Sequence, residues 1–230
     1  MNKINKKIDV ILLCGGKGQR LRPHTKNIPK PLLLVNKKPF LYYMIKKFLK
    51  LNVNQIILAA GYKSNKVSLF VKKYFNNNKK IKIIDSGNVD IIKRIKDCSI
   101  YINNDFFICY GDTYVNLNLK KYIYDFKKNN YMACVLATYY RLKYGTITFS
   151  NRTKLVKNFN EKPIIPEPIN LGYFLLKKDL IKIVSTHSSW LSFVKNIAKS
   201  KKLKIKITDR KYFSFDSPRE YHEVKTKFIN

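Results

Sequence analysis

Acidic residues are scarce in this 230-residue chain: 14 Asp and Glu stand against 47 Lys and Arg, a formal net charge of +33. Such an imbalance first suggests a polyanionic partner, nucleic acid or an anionic membrane, because a basic field steers and concentrates such ligands. The distribution argues for something plainer. The excess is Lys, with Arg at only seven positions, and it runs from Lys3 to Lys227 without gathering into one arm. No RNP motif, zinc-finger spacing or basic-zipper heptad accompanies it, so a nucleic-acid polymer is not the expected partner. Abundant Ile, Asn and Tyr point to compositional bias.

Other absences narrow the class further. The four cysteines (14, 98, 109, 134) have no CxxC or metal spacing and three sit in apolar runs, which predicts reduced core thiols and excludes a disulfide framework. His24, His187 and His222 show no metal pattern with one another. No apolar run reaches the eighteen residues of a membrane span, and the basic start leads through a short apolar run into glycines without a cleavage site. The expectation is a cytoplasmic protein with no membrane insertion. There is no internal repeat, and no hexapeptide array after residue 176.

With 45% apolar and 13% aromatic residues, the chain has enough to bury the core of one domain, read here as 1–230. Apolar runs bounded by turns alternate with stretches of helical period, the sign of βαβ units. Strands are predicted at 9–14, 55–60, 81–85, 106–110 and 132–138, with helices at 39–51, 64–75 and 119–128 and a short helix bearing Ile91, Ile92 and Ile95. The second half adds strands at 145–149, 155–159, 169–176, 203–207 and 212–215, and helices near 179–184, 190–198 and 218–228. The fold class is α/β, a Rossmann-like three-layer α/β/α sandwich with a mixed, mainly parallel central sheet. Trp190, Phe193, Val194 and Ile197 form a helical apolar stripe, read as core or as the contact of a homo-oligomer.

Only eight glycines occur, and three of them, Gly15, Gly16 and Gly18, fall in one loop after the first strand. Glycines there let backbone N–H groups approach a phosphate chain that side chains would hold away. No GK[ST] follows, which excludes a Walker loop, and Leu21 stands where the third glycine of a dinucleotide fingerprint belongs. Arg20 and Lys30 offer a rigid guanidinium fork and a point charge for phosphoryl oxygens, with Pro29 and Pro31 presetting the backbone around Lys30. A solvated basic turn is the plain alternative.

The whole span resembles the signature of the sugar nucleotidyltransferases, GGxGxRLxPxTxxxPKPL: Gly15, Gly16, Gly18, Arg20, Leu21, Pro23, Thr25, Pro29, Lys30, Pro31 and Leu32 all match. The resemblance implies that the glycines cradle a nucleotide while Arg20 and Lys30 hold phosphates at the reacting centre. Gly111-Asp112 ends an apolar strand, and Asp216 closes another. Singly each aspartate reads as a strand-end cap. As a pair they look like the family's two metal ligands, a set that Mg2+ completes with substrate oxygens and water.

Glu161-Lys162-Pro163 looks like the family's EKP element, whose lysine reaches the sugar phosphate, and Asn170-Leu171-Gly172-Tyr173 resembles its sugar-contacting NxGxY stretch. Residues 85–96 are similar in outline to the corresponding stretch of glucose-1-phosphate cytidylyltransferases, though they lack the TMTGG segment. CTP is therefore the favoured nucleotide. An end near residue 230 also suits the short heptose-1-phosphate guanylyltransferases and compact uridylyltransferases. The resemblance thus implies Mg2+-dependent formation of an NDP-sugar and pyrophosphate from an NTP and a sugar 1-phosphate. It assigns nucleotide binding to Leu13, Gly15, Gly16, Gly18, Arg20, Gly87, Arg94, Gly111 and Asp112. Sugar-phosphate binding falls to Lys30, Glu161, Lys162, Asn170 and Gly172, catalysis to Arg20, Lys30, Asp112 and Lys162, and the metal to Asp112 and Asp216.

Overall fold

Aliphatic strands that bury both faces and end in turns build the centre of the molecule. The computed structural model describes residues 7–51 and 53–228, so the first six residues of the basic start lie outside it. In chain order the elements are β1 (Asp9–Leu13), β2 (Leu34–Val35), β3 (Lys38–Pro39), α1 (Phe40–Leu49), β4 (Gln55–Ala60), α2 (Ser64–Phe75), β5 (Ile81–Asp85), α3 (Ile91–Ser99), β6 (Phe106–Tyr110) and β7 (Thr113–Val115). There follow α4 (Leu119–Lys128), β8 (Ala133–Thr138), β9 (Thr146–Phe149), β10 (Val156–Asn160), β11 (Ile169–Leu176), α5 (Leu180–Thr186), α6 (Trp190–Lys199), β12 (Leu203–Ile207), β13 (Tyr212–Ser214) and α7 (Pro218–Lys227).

Seven strands form one sheet in the order β12-β8-β11-β6-β1-β4-β5. All neighbours run parallel except β11, which lies antiparallel between β6 and β8. The mixed, mainly parallel sheet is thus as expected, with one reversed strand. Side chains alternate across it. Val10 and Leu12 of β1 join one core with Phe40, Met44 and Phe48 of α1, Val67 of α2 and Phe126 of α4. Ile11 faces the other way, into a second core with Ile95 of α3, Val184 of α5 and Phe193 of α6. Helices therefore cover both faces, giving the three layers.

Most expected elements fall within a residue or two of their observed ends, but three of the expected strands stand outside the main sheet. The ribbon β9–β10 pairs within itself, and β13 pairs antiparallel with the unexpected short strand β7. Alternation shows that a segment is extended, not which neighbour it takes. The Trp190 stripe resolves to core: Trp190, Phe193 and Ile197 are buried against the sheet. Among the described residues, no helix is long and apolar enough to cross a membrane.

The topology also fixes where a ligand can sit. From β1 the chain moves outward to β4 and β5, then returns to place β6 on the other side of β1. That reversal opens a crevice at the carboxyl ends of β1 and β6, where open α/β sheets bind ligands.

Candidate active site

The crevice is a cavity of about 550 Å3, a size typical of small-molecule sites. Its walls come from the loop after β1 (Leu13 to Leu21), from Lys30 and Pro31, from Val89 to Ile91 with Arg94, from Tyr110 to Asp112, and from Asp216.

The glycine-rich loop is shaped by what surrounds it. Gly18 is left-handed (φ 57°) and starts a short turn, Gln19–Leu21, while the buried Thr25 hydroxyl donates to its carbonyl at 2.8 Å. Leu21, in the place of a third glycine, is buried in the core and anchors the loop from below. A second turn, Lys30–Leu32, directs the lysine inward between its two prolines until Lys30 is only 7% exposed.

Two distant carboxylates meet this lysine. Lys30 Nζ lies 2.6 Å from Asp112 Oδ2 and 2.5 Å from Asp216 Oδ1, and Arg20 Nη2 approaches Asp216 Oδ2 at 3.4 Å. The β7–β13 ribbon makes the meeting possible. Thr113 pairs with Ser214, their hydroxyls 3.1 Å apart, and Asp112 and Asp216 flank that pair. Gly111 permits the sharp exit from β6, because a Cβ there would stand 2.6 Å from the Leu13 carbonyl oxygen. Partial burial works to raise the Asp216 pKa. The Lys30 hydrogen bond and the charges of Lys30 and Arg20 outweigh that effect and hold it below the usual carboxylate value.

This donor set fits a divalent cation. Two carboxylate oxygens already converge on one cationic nitrogen, and hard cations accept such pairs completed by phosphate oxygens and water. Among the described residues no group of three or more His, Cys, Asp or Glu is gathered as a metal site, so most remaining ligands must come from substrate and solvent.

The other expected residues divide. Arg94 reaches the cavity wall, but its guanidinium is engaged by the protein: Nη1 donates to the Ala60 carbonyl and Nη2 to that of Val89, each at 2.7 Å. Gly87 (φ 68°) turns the chain after β5, its N–H donating to Asp85 at 2.9 Å, and Val89 to Ile91 line the cavity in its place. Asn170 accepts from the Gly172 N–H at 2.7 Å. Gly172 (φ 71°) leaves room for the Tyr110 ring, which a Cβ would meet at 2.6 Å. Glu161 and Lys162 end the β9–β10 ribbon, exposed and 3.6 Å from one another, and neither lines the cavity.

Sequence reasoning missed Tyr110 and the part played by Trp190. Tyr110 lines the cavity, and its hydroxyl accepts from the Trp190 indole N–H at 3.2 Å. Burial raises the Tyr110 pKa above the ordinary phenol value, at which the group is already protonated at neutral pH. Its position next to Gly111-Asp112 at a strand end was the available signal.

Comparison with known proteins agrees with this geometry. The nucleotidyl transferase family matches residues 9–214. A D-glycero-alpha-D-manno-heptose 1-phosphate guanylyltransferase of Campylobacter jejuni is 28% identical over 220 residues, 94% of this chain and 97% of that protein. A glucose-1-phosphate cytidylyltransferase of Salmonella typhimurium is 26% identical over 204 residues, 78% and 79% of the two chains. Some relatives are much longer: the chain spans 42% of the bifunctional protein GlmU of Methanocaldococcus jannaschii, to which it is 30% identical over 183 residues. Among solved structures, HddC from Yersinia pseudotuberculosis superposes with a TM-score of 0.74 at 26% identity, covering 96% of this chain and all of that one. With the family match extending over nearly the whole described chain and the relatives including sugar-phosphate nucleotidyltransferases, the protein belongs to the nucleotidyl transferase family.

Proposed function

We propose that residues 1–230 form a single nucleotidyltransferase domain, working in the cytoplasm, that joins the nucleotidyl group of an NTP to a sugar 1-phosphate and releases pyrophosphate. The reading rests above all on the convergence of Lys30 and Arg20 with Asp112 and Asp216 at the mouth of the cavity. Its partners are two phosphorylated small molecules, not a nucleic-acid polymer.

In the reaction an oxygen of the sugar phosphate attacks the α-phosphorus in line, the bond to the β-phosphoryl oxygen breaks, and pyrophosphate leaves with the electron pair. No covalent intermediate on the protein is needed. Catalysis is positioning and charge neutralisation. The glycine loop leaves room for the triphosphate, and Arg20 and Lys30 neutralise its oxygens. Asp112 and Asp216 would hold Mg2+, which when bound supplies charge neutralisation at the transferred phosphoryl group. Tyr110 is assigned to the acceptor side, and the motif resemblances assign Asn170, Gly172, Glu161 and Lys162 to the sugar phosphate from outside the cavity wall, which none of these four lines.

The outline of residues 85–96 favours CTP and hence a CDP-sugar. GTP is the second reading, favoured by the guanylyltransferase relative that matches this chain almost end to end. Pyrophosphate release measured for CTP, GTP, UTP, ATP and dTTP, each paired with a panel of sugar 1-phosphates and Mg2+, tests both. Faster turnover with CTP supports the first, faster turnover with GTP the second, and no turnover with any pair refutes the activity.

A further inference from the structure

Arg94 is a buried cation that bonds to the backbone of two segments and packs against a third. It is the fourth residue of α3, 5% exposed, on a helix capped by Asp90, whose side chain accepts from the Lys93 N–H at 2.9 Å. No carboxylate among the described residues lies within ion-pairing distance of it. Its two prongs bond instead to the last carbonyl of β4, at Ala60, and to that of Val89 in the connection to α3. The third segment is the glycine loop. A Cβ on Gly15 would stand 1.8 Å from Nη1, and one on Gly61 would stand 2.0 Å from it. At both positions the guanidinium is the nearest group, followed by backbone, the Ala60 carbonyl carbon at 2.8 Å for Gly15 and the Gly87 carbonyl oxygen at 2.3 Å for Gly61.

A buried guanidinium is costly, and that cost is offset only where its hydrogen bonds are well made. Here those bonds fasten Val89, and with it the cavity wall at Val89 to Ile91, to the end of β4 beneath the phosphate loop. The cations and acids of the reacting centre, Lys30, Arg20, Asp112 and Asp216, contact one another and not Arg94. With the phosphates drawn to that cluster, the wall at Val89 to Ile91 faces the nucleoside.

We propose that Arg94 is a positioning residue for the nucleoside: it acts through the Ala60 and Val89 carbonyls to fix the wall that reads the base, and does not itself hold phosphate. This rests on the proposed nucleotidyltransferase reading. A lysine replaces it only in part, because one ammonium cannot present the planar fork that spans two carbonyls.

The test is calorimetric binding of CTP, GTP, CMP and GMP to the wild-type protein, R94M and R94K, with KM for NTP and for sugar 1-phosphate measured alongside. Losing two charge-assisted bonds should weaken mono- and triphosphate binding by the same factor, about tenfold or more. The ratio of CTP to GTP affinity should move toward one, R94K should fall between wild type and R94M, and the sugar-phosphate KM should stay within about twofold. If R94M does not fold, R94K carries the same comparison. A loss that grows with the number of phosphates overturns the proposal in favour of a direct phosphate ligand. Equal rises in both KM values, or unchanged nucleotide binding by a folded variant, also overturn it. Absence of nucleotide binding by the wild-type protein would overturn the nucleotidyltransferase reading itself.

Discussion

Lys30 and Asp216 lie far apart in sequence, yet the ammonium and the carboxylate are 2.5 Å apart, and the same ammonium reaches Asp112 at 2.6 Å. One buried lysine thus holds together two acids that the proposed mechanism gives to a metal ion. Without substrate the ammonium and a divalent cation compete for the same oxygens. K30M should therefore bind Mn2+ more tightly than wild type in the absence of nucleotide, as read by electron paramagnetic resonance, while losing about 100- to 1,000-fold in turnover. Weaker Mn2+ binding by a folded K30M would mean that the lysine organises the acids and does not compete for them.

Asp112 should be the more damaging of the two acids to remove. It follows Gly111 at the end of β6, within the sheet's ligand crevice, whereas Asp216 is half exposed. D112A is expected to cost at least about 100-fold in pyrophosphate release with an unchanged far-ultraviolet dichroism spectrum. Near-normal turnover would remove Asp112 from the reaction.

The depressed Asp216 pKa carries a sign that can be checked. The unfolded carboxyl titrates near 3.8 and the folded one lower, so the unfolded state takes up protons first as pH falls. The stabilisation is complete well above 3.8 and is lost as pH falls through the folded value. Melting temperatures of wild type and D216N should differ most at neutral pH and converge toward pH 3. A constant difference would show that charge plays no part.

Much of this site is legible in the sequence because loop chemistry is local. Three glycines, a guanidinium and a proline-flanked lysine within eighteen residues point to an anion-binding loop before any fold is known. The inner strands of the main sheet are equally plain, since a strand buried on both faces must be largely apolar, whereas the edge strands β5 and β12 place Lys between aliphatic residues. What could not be read is partnership. The short run 113–115 gives no sign that it pairs with 212–214, though that pairing brings Asp112 to Asp216. Arg94 has the charge of a phosphate ligand, and only the folded chain shows its fork occupied by two carbonyls. Glu161 and Lys162 fit a motif, but their ribbon stands off the main sheet and leaves them exposed.

The cysteines set the alkaline limit. Burial pushes the thiols of Cys14 and Cys98 up from 9.0 to about 12, and it raises Cys109 and Cys134 as well. Unfolded thiols ionise first, so stability is full below 9 and falls as pH rises toward 12. Lys47, brought down from 10.5 to about 8 by burial, acts in the opposite sense between those values, but it is one group against four. Melting temperature under reducing conditions should fall between about pH 9 and 11, above the unfolded thiol value, and C98A should flatten the fall. An aromatic disulfide reagent at pH 8 should find the thiols unreactive until the protein is denatured.

Tyr110 and Trp190 give a last prediction, for the acceptor side. The indole N–H fixes the phenol at the cavity wall, and Gly172 makes room for the ring. W190F removes one neutral hydrogen bond, about 1 kcal/mol, or roughly a fivefold rise in the acceptor KM if the phenol is set for that substrate. G172A combines a left-handed backbone with a Cβ 2.6 Å from the Tyr110 ring, so the ring must move and the acceptor KM should rise further. In both variants the NTP KM should hold within about twofold, because neither residue borders the glycine loop or the Val89 wall. A rise in the NTP KM alone would place Tyr110 on the nucleotide side and reverse this division of the cavity.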